Sequence, residues 1–327
     1  EQLEAGQVAA GAAMHYLATT ENDQLKHINS IQRLKTHEHV WLDRFTIRNL
    51  ELLQSQQPSG VPLVEVMDHT RSPMGSRLLK KWIVLPLTDI AQIEDRHASV
   101  EFLLSDTTIR EETGNLLDEV GDMERLISRA SLGKMNPREM KQLEYSLALL
   151  PKLIELLGQV DCTPLRDLSD SIDPCNSLKE KLSESILDDP PAQVAKGQVV
   201  AEGVSAELDD LRHTISHSKD LLVEIQQREA EKTGISNLKV GFNKVFGYYL
   251  EVTNKYKDKG LIPEEWTRKQ TLTNSERYIT DELKELENKI LGAEERIEEL
   301  EEELYEVILE EVTEYIVPIQ GNAHLLA

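Results

Sequence analysis

The sequence predicts a mainly α protein of the α+β kind. It has a helical core and two long coiled-coil-like helices, with a small antiparallel β domain inserted between the two. Three observations predict this fold. Apolar residues recur at helical spacing from the start of the chain to about residue 230. Two later stretches repeat apolar residues in alternating steps of three and four. Between those stretches the apolar residues alternate at every second position, as they do in β-strands.

Proline and capping residues mark where helices begin and end in the helical part. Pro86 predicts that a helix ends at Leu85, because proline cannot continue the hydrogen-bond ladder. Asn136 and Pro137 predict a helix start, with Asn136 as the cap and Pro137 at the first helical position. Helical apolar spacing also predicts a helix over residues 43–53.

A break follows this helical region. The Asp-Asp-Pro-Pro run at residues 188–191 interrupts any helix, and residues 197–203 predict a short turn or strand. We therefore assign residues 1–196 to a helical core domain.

The two long helices are predicted from their apolar seams. The first seam runs through Leu208, Leu211, Ile215, Ser218, Leu222 and Ile225. The second runs through Leu283, Leu286, Ile290, Ala293, Ile297, Leu300 and Leu304, and we expect one helix to continue as far as Val317. Alternating steps of three and four keep each seam facing a partner helix. Residues 197–232 and 281–327 are assigned to these long helices.

The segment between the long helices differs from the rest in composition. Residues 235–280 hold seven of the 15 aromatic residues and eight basic side chains against five acidic ones, although the whole chain carries a net charge of −23. A charge of −23 argues against general affinity for nucleic acid, because phosphates are repelled. Any binding to phosphate must therefore come from this local segment.

The same segment has the pattern of a β-hairpin. Residues 238–243 and 248–253 alternate apolar and polar side chains, and Gly247 can adopt the positive φ that a tight turn needs. We assign residues 233–280 to an inserted β domain.

The sequence lacks the common phosphate-binding and nucleophile-elbow motifs, although sequence alone leaves a Ser-His-Asp set open. It contains neither the G-x-x-x-x-G-K-[ST] phosphate loop nor G-x-G-x-x-G. His213 and His217 are four residues apart, but the residues between them include no Glu, so we expect surface histidines. Two cysteines in 327 residues do not form a disulfide framework and favour the cytosol. We therefore predict that the chain is not itself an enzyme, and we expect no metal and no membrane contact.

The inserted segment has the side chains that bind a nucleic-acid backbone. Positive charge combined with hydroxyl and amide groups suits phosphate oxygens and carries little base information. The candidate residues are Lys239, Asn243, Lys244, Arg268, Lys269, Thr271, Thr273, Asn274 and Arg277. From these residues alone, a small β domain with an incidental basic face is the favoured interpretation.

Several motifs, in one order along the chain, resemble the bacterial MutS family. Residues 238–252, Leu-Lys-Val-Gly-Phe-Asn-Lys-Val-Phe-Gly-Tyr-Tyr-Leu-Glu-Val, are similar to the hairpin of its clamp domain. Residues 268–278 resemble the second clamp motif, which leads into a returning lever helix. Residues 68–79 and 121–126 resemble motifs of its core domain, and residues 207–212 resemble the start of the descending lever.

This resemblance implies a role in DNA mismatch repair. Members of the family are dimeric ATPases that scan DNA, and their levers connect the ATPase to clamps that cross the duplex. The resemblance implies a core, lever and clamp fragment that grips double-stranded DNA by its backbone. Its partners would be a second MutS subunit and a MutL-type protein, in the bacterial cytoplasm near the nucleoid. ATP and Mg²⁺ would belong to the ATPase domain of the parent protein, so we expect no cofactor in this fragment.

Two family features differ here. The Phe-x-Glu motif that reads mismatches is absent, since no Phe is followed two residues later by Glu. The family often has a basic residue where Thr273 stands. One alternative stays open: a coiled-coil arm whose tip binds a protein partner. Tyr248, Tyr249 and Trp266, expected to be exposed, would suit that role, because aromatics favour interfaces.

Overall fold

The computed structural model describes residues 4–20, 28, 38–257 and 260–327, which fall into two compact units. One unit comprises Glu1–Ala192 with Glu306–Ala327, and the other comprises Gln193–Tyr305. The helices of the first unit are α1 (Glu4–Thr19), α2 (Arg44–Asn49), α3 (Leu63–Met67), α4 (Pro73–Val84), α5 (Ile90–Ser105), α6 (Thr107–Glu119), α7 (Met123–Ser131), α8 (Pro137–Gly158), α9 (Thr163–Ser171), α10 (Asn176–Ser185) and α14 (Ile316–Leu325).

The second unit contains two long helices and a sheet. Its elements are α11 (Ala206–Thr233), β1 (Lys239–Asn243), β2 (Gly247–Thr253), α12 (Asn254–Lys257), β3 (Thr267–Thr271), β4 (Ser275–Ile279) and α13 (Asp281–Glu314), which extends past the end of this unit. The predicted fold class, mainly α with a small antiparallel sheet, is confirmed. The assignment of residues 233–280 to a separate clamp domain stays a prediction, because the unit that holds the sheet also includes α11 and most of α13.

The first unit is built around α8. The capping box that begins α8 was predicted in part: Asn136 Oδ1 accepts from the Glu139 N–H at 3.0 Å, and the Glu139 carboxylate accepts from the Asn136 N–H at 3.1 Å. Arg129 also donates to Glu139, at 2.8 Å, and the two interactions together hold the pKa of that carboxyl below its ordinary value despite its burial. The fully buried side chains of this core include Met123, Leu126, Ile127, Met140, Leu143, Leu147, Leu150 and Leu153.

The prediction of a helix over residues 43–53 was too long. Asp43 does cap the helix by accepting from the Thr46 N–H at 2.7 Å, but α2 ends at Asn49. Glu51 has a φ of 49°, in the left-handed region, and its carboxylate accepts from the Gln56 N–H at 2.8 Å. This turn interaction redirects the chain, which apolar spacing alone does not reveal. The predicted end at Leu85 is confirmed, because Leu85 is the C-cap of α4.

The second long helix was also expected to run further than it does. It ends at Glu314, and α14 begins two residues later. The Tyr315 N–H donates to the Val312 carbonyl three residues back, so the helix tightens and breaks there. Pro318 then lies in the first turn of α14, where its missing N–H costs nothing.

Helices α11 and α13 run antiparallel within the second unit. Glu207, near the start of α11, accepts from Arg296 at 3.0 Å, whereas Arg228, near its end, pairs with Glu282. The predicted seam positions that are buried are Leu208, Ser218, Leu222, Ile225, Leu283, Leu286, Ile290, Ala293 and Leu300. The two seams therefore face inward, as their spacing predicts.

A buried carboxylate ties an irregular segment to these helices. Residues 197–203, predicted as a turn or strand, form no named strand, and Gln198 has a φ of 60°. Glu301 of α13 is fully buried and accepts from the Gln198 and Val199 N–H groups, each at 2.9 Å. Arg212 of α11 donates to the same carboxylate at 2.6 Å. One side chain thus holds together three parts of the unit.

The sheet has the strand order β1-β2-β4-β3, and its neighbouring strands are antiparallel. The predicted hairpin is confirmed: Asn243 pairs with Gly247, whose φ is 79°. Strand β1 lies at one edge, where its Val240 N–H donates to Gln226 of α11 at 3.2 Å. Strand β3 lies at the other edge and is mostly exposed.

Among the described residues, no helix combines the length and the apolar character that crossing a membrane requires.

Candidate nucleic-acid interface

One face of the sheet packs on the two long helices. Leu250, Val252 and Tyr278 lie on this face and are buried in a cluster with Trp266 and with Ile290 of α13. This packing leaves the opposite face of the sheet and the β3 edge directed away from the helices.

The opposite face carries a row of polar side chains, one from each strand. Lys239 pairs with Glu251, Glu251 with Arg277, and Arg277 with Gln270. The Arg277 guanidinium donates to the Glu251 carboxylate at 3.1 Å and to Gln270 Oε1 at 2.9 Å, and only 20% of its side chain is exposed. Arg277, a predicted phosphate ligand, is therefore engaged in linking strands, whereas Lys239 is exposed.

An aromatic side chain covers part of this face. The centroid of the Tyr249 ring lies 4.3 Å from the guanidinium carbon of Arg277. It lies 5.7 Å from the centroid of the Phe246 ring. It lies across its cross-strand partner Gly241: a Cβ added there would be 2.7 Å from both Tyr249 Cζ and its hydroxyl oxygen. Only glycine leaves room for the ring, and this placement leaves Tyr249 only 8% exposed.

We expect Gly241→Ala to lower the free energy of unfolding by about 1–3 kcal/mol, because the ring must leave its place. Chemical denaturation of the two proteins measures the difference. The matched control is Gly292→Ala in α13, where an added Cβ would meet nothing within 4 Å. That control should stabilise the protein by about 0.4–1 kcal/mol, since alanine reduces the entropy of the unfolded chain. Equal effects at both positions would contradict the packing described for Tyr249.

A β-bulge changes which side chains of β3 share a face. Arg268 pairs with Tyr278 and Thr271 with Glu276, but Gln270 pairs with Arg277, so the register shifts between Arg268 and Gln270. Without this shift, Arg268 and Gln270 would point the same way. The bulge instead places Arg268 next to Glu276, and Lys269, within the bulge, is exposed.

Glu276 is a buried carboxylate at the edge of the apolar cluster. Its side chain is 2% exposed, and its Oε1 accepts from Arg268 Nη1 at 3.2 Å. The Tyr278 hydroxyl donates to Oε2 at 2.5 Å, and burial together with this carboxylate raises the pKa of Tyr278 to about 12. Tyr278 thus remains a neutral hydrogen-bond donor throughout the physiological range.

The two turns that carry predicted site residues lie at opposite ends of the sheet. The register puts the β1–β2 turn, with Asn243 and Lys244, beyond the end of β4. The β3–β4 turn, with Thr273 and Asn274, lies beside Thr253 at the other end of β2. The seven residues of β2 separate them by about 20 Å. Asn243 also uses its own Oδ1 to accept from the Val245 N–H at 2.8 Å, so it shapes its turn.

A residue that the sequence reasoning missed is Lys255. The side chain of Asn254 donates to the Thr273 carbonyl at 2.8 Å, and its N–H donates to the Asn274 carbonyl at 3.0 Å. These bonds hold α12 against the β3–β4 turn and place exposed Lys255 beside it. The signal available in the sequence was the basic run Lys-Tyr-Lys at residues 255–257 directly after the second strand.

The cations of this unit divide into paired and unpaired groups. Arg268 and Arg277 are paired with carboxylates, and Lys232 pairs with Glu265 at 2.6 Å. Among the residues that the structure describes, four exposed lysines of the sheet region form no ion pair. They are Lys239, Lys244, Lys255 and Lys269. An unpaired, exposed ammonium group is free to replace a counterion on a phosphate.

The first unit offers a different kind of site. A cavity of about 840 Å³ lies there, lined by apolar side chains such as Phe102 and Leu116 and by carboxylates that include Asp106, Glu112 and Glu155. Its acidic lining has the wrong sign for a phosphate backbone. Among the described residues, no group of three or more His, Cys, Asp or Glu side chains could hold a metal ion. The two cysteines, Cys162 and Cys175, are buried and free.

The fold and the site together define a helical protein that carries a basic, aromatic-rich antiparallel sheet between two long helices. The MutS domain III family matches residues 45–327. Over the full length of the chain, the DNA mismatch repair protein MutS of Christiangramia forsetii is 50% identical, that of Cytophaga hutchinsonii 48% and that of Flavobacterium johnsoniae 46%. The chain belongs to the MutS family and spans 37–38% of the length of these relatives.

Proposed function

We propose that this chain binds the backbone of double-stranded DNA without regard to sequence, through the basic sheet of its second unit. The proposed ligands are the predicted residues Lys239, Lys244, Arg268, Lys269, Thr271, Thr273 and Asn274, to which the structure adds Lys255. Asn243 and Arg277, also predicted as ligands, would contribute mainly by shaping the turn and linking the strands.

One observation carries this proposal: among the residues that the structure describes, four exposed lysines in and beside the sheet form no ion pair, in a chain whose net charge is −23. An acidic surface repels DNA, so affinity depends on a local group of cations. Salt screens charges beyond ~10 Å at 0.1 M ionic strength, so distant carboxylates act only weakly on these lysines. Hydroxyl and amide groups at the β3–β4 turn add donors that suit phosphate oxygens.

The wider role is part of the same proposal. The relatives are named DNA mismatch repair proteins, and we propose that the full protein acts in that process as a dimeric ATPase, with a MutL-type partner, in the cytoplasm near the nucleoid. ATP and Mg²⁺ would then bind in parts of the protein outside this chain, which itself would hold neither and catalyse nothing.

The expectation that Tyr249 and Trp266 are exposed for a protein partner is wrong, because both are buried, at 8% and 5% exposure. A second candidate function, protein binding, rests instead on the β1–β2 turn. Val245 is 90% exposed and Phe242 49% exposed, so an apolar patch lies at one end of the sheet. Exposed apolar side chains at a hairpin turn suit contact with another protein. This candidate predicts that binding depends on Phe242 and Val245 and changes little with salt.

A titration of a labelled duplex at several salt concentrations tests the proposal. We expect a dissociation constant of roughly 10⁻⁴ to 10⁻⁶ M at physiological salt, the range of non-specific binding. The logarithm of the association constant should fall with the logarithm of salt by about three units per decade, as for three or four phosphate contacts. Matched, mismatched and unrelated duplexes should bind alike.

Three outcomes would count against this function. Nanomolar binding that ignores salt would require contacts other than phosphates. A clear preference for a mismatch would place a mismatch reader in this chain. Absence of binding at low salt would favour the protein-binding candidate.

A further inference from the structure

Arg268 is a predicted phosphate ligand that is both exposed and paired with a buried carboxylate. Its side chain is 58% exposed, whereas the side chain of Glu276, to which its Nη1 donates, is 2% exposed. A guanidinium has five N–H donors in a planar fork. Within the described part of the chain, the Glu276 carboxylate is the only hydrogen-bond partner of the Arg268 guanidinium, so the rest of the fork is available for a ligand.

The burial of Glu276 is not explained by the sheet alone. A carboxylate in an apolar cluster costs free energy unless it is paired and hydrogen-bonded. Tyr278 donates to one of its oxygens and Arg268 to the other, so both are engaged. Thr271 Oγ1 lies 3.5 Å from the oxygen that Arg268 contacts, at the limit for a hydrogen bond. These hydrogen bonds hold the carboxylate in place, and its bond to Arg268 restricts the orientation of the guanidinium.

The location of Arg268 suits a ligand that approaches from the edge of the sheet. Strand β3 is the exposed edge strand, and exposed Lys269 follows Arg268 in the bulge. A backbone phosphate at this edge could accept two hydrogen bonds from the free side of the fork. Such bidentate contacts need an oriented guanidinium, and a freely rotating side chain would lose rotamer entropy on binding.

We propose that Glu276 is a positioning residue for DNA binding: its buried carboxylate holds the Arg268 guanidinium at the β3 edge, with its remaining donors directed to a backbone phosphate. This inference rests on the proposed function and deepens it. It gives a negatively charged residue a favourable part in binding a polyanion.

The direction in which one substitution changes DNA affinity distinguishes positioning of Arg268 from a simple effect of charge. Glu276→Gln removes a negative charge beside the proposed phosphate site and keeps the shape, and its amide oxygen can still accept from Tyr278. If Glu276 only neutralised Arg268, this variant would bind DNA more tightly and with a steeper salt dependence. If Glu276 positions Arg268, the variant binds about three- to tenfold more weakly, and its salt slope falls by up to about one unit.

The test is a titration of the same labelled duplex with four proteins at two salt concentrations. They are the wild type, Glu276→Gln, Arg268→Gln and the double variant. We expect Glu276→Gln to weaken binding in the wild-type background and to change it by less than about twofold when Arg268 is already Gln. Circular dichroism at the titration temperature establishes that each protein is folded.

A matched control removes the same charge elsewhere. Glu265→Gln eliminates an exposed carboxylate that pairs with Lys232, and it should bind the duplex at least as tightly as the wild type. Tighter binding by Glu276→Gln would overturn the inference, and so would an equal weakening in both backgrounds, because the effect would then not pass through Arg268. If the wild-type protein fails to bind at low salt, the proposed function itself is rejected. The wild-type titration alone gives that result, so it is distinguishable from failure of the inference.

Discussion

Glu301→Ala should lower the free energy of unfolding by about 3–5 kcal/mol, the largest stability effect that we expect of a single substitution in the second unit. The variant leaves the Gln198 and Val199 N–H groups without their acceptor, in a place where Glu301 is fully buried. It also removes one acceptor of Arg212, which keeps its hydrogen bond to the Val200 carbonyl. Buried donors without acceptors cost about 1–3 kcal/mol each. Urea denaturation followed by circular dichroism measures the loss.

Two control variants refine this experiment. Glu302→Ala removes the exposed neighbouring carboxylate and should change stability by at most about 0.5 kcal/mol. Glu301→Gln keeps one acceptor oxygen and should fall between the other two variants. If Glu301→Ala unfolds at the same urea concentration as Glu302→Ala, the buried carboxylate does not hold the irregular segment to the helices.

The periodicity of the sequence predicted the long helices because burial follows the seam. Leu208 and Leu222 of α11 and Ile290 of α13 occupy predicted seam positions, and each is buried. The ends of helices were harder to predict, since they depend on a few local hydrogen bonds. Asn136 and Pro137 indicated a start by residue type, whereas Tyr315 has no sequence signature for the break that it makes.

The candidate site was predictable in composition and less so in arrangement. Basic and aromatic residues clustered in one segment, and this clustering is visible in the sequence. Which of them are free depends on cross-strand partners: Arg277 meets Glu251 and Gln270 only because strands β2, β4 and β3 are neighbours. The bulge that sends Arg268 to Glu276 leaves no pattern in the sequence. Lys255 was missed because a bond from Asn254 to a distant turn positions it.

A consequence of this arrangement is that equal charges in the second unit should contribute unequally to DNA binding. Lys239, Lys255 and Lys269 lie in or beside the sheet and have no described ion pair. Replacing all three by alanine should weaken duplex binding on the order of 100-fold at 0.1 M salt and reduce the salt slope by about two to three units, because each phosphate contact contributes about 0.9 unit. A titration at low salt, where wild-type binding is tightest, gives the widest measurable range.

The decisive control carries the same loss of charge on the helices. Lys219 of α11 and Lys284 and Lys289 of α13 are also exposed, and replacing these three by alanine changes the net charge of the chain equally. If DNA senses only the total charge, the two triple variants will bind alike. If the sheet grips the backbone, the helix variant will keep a salt slope within about one unit of the wild type, because it loses no phosphate contact. All six side chains are exposed, so neither variant should unfold, and a difference in affinity then reports where the duplex lies. Equal weakening by both variants would move the binding surface away from the sheet and onto the unit as a whole.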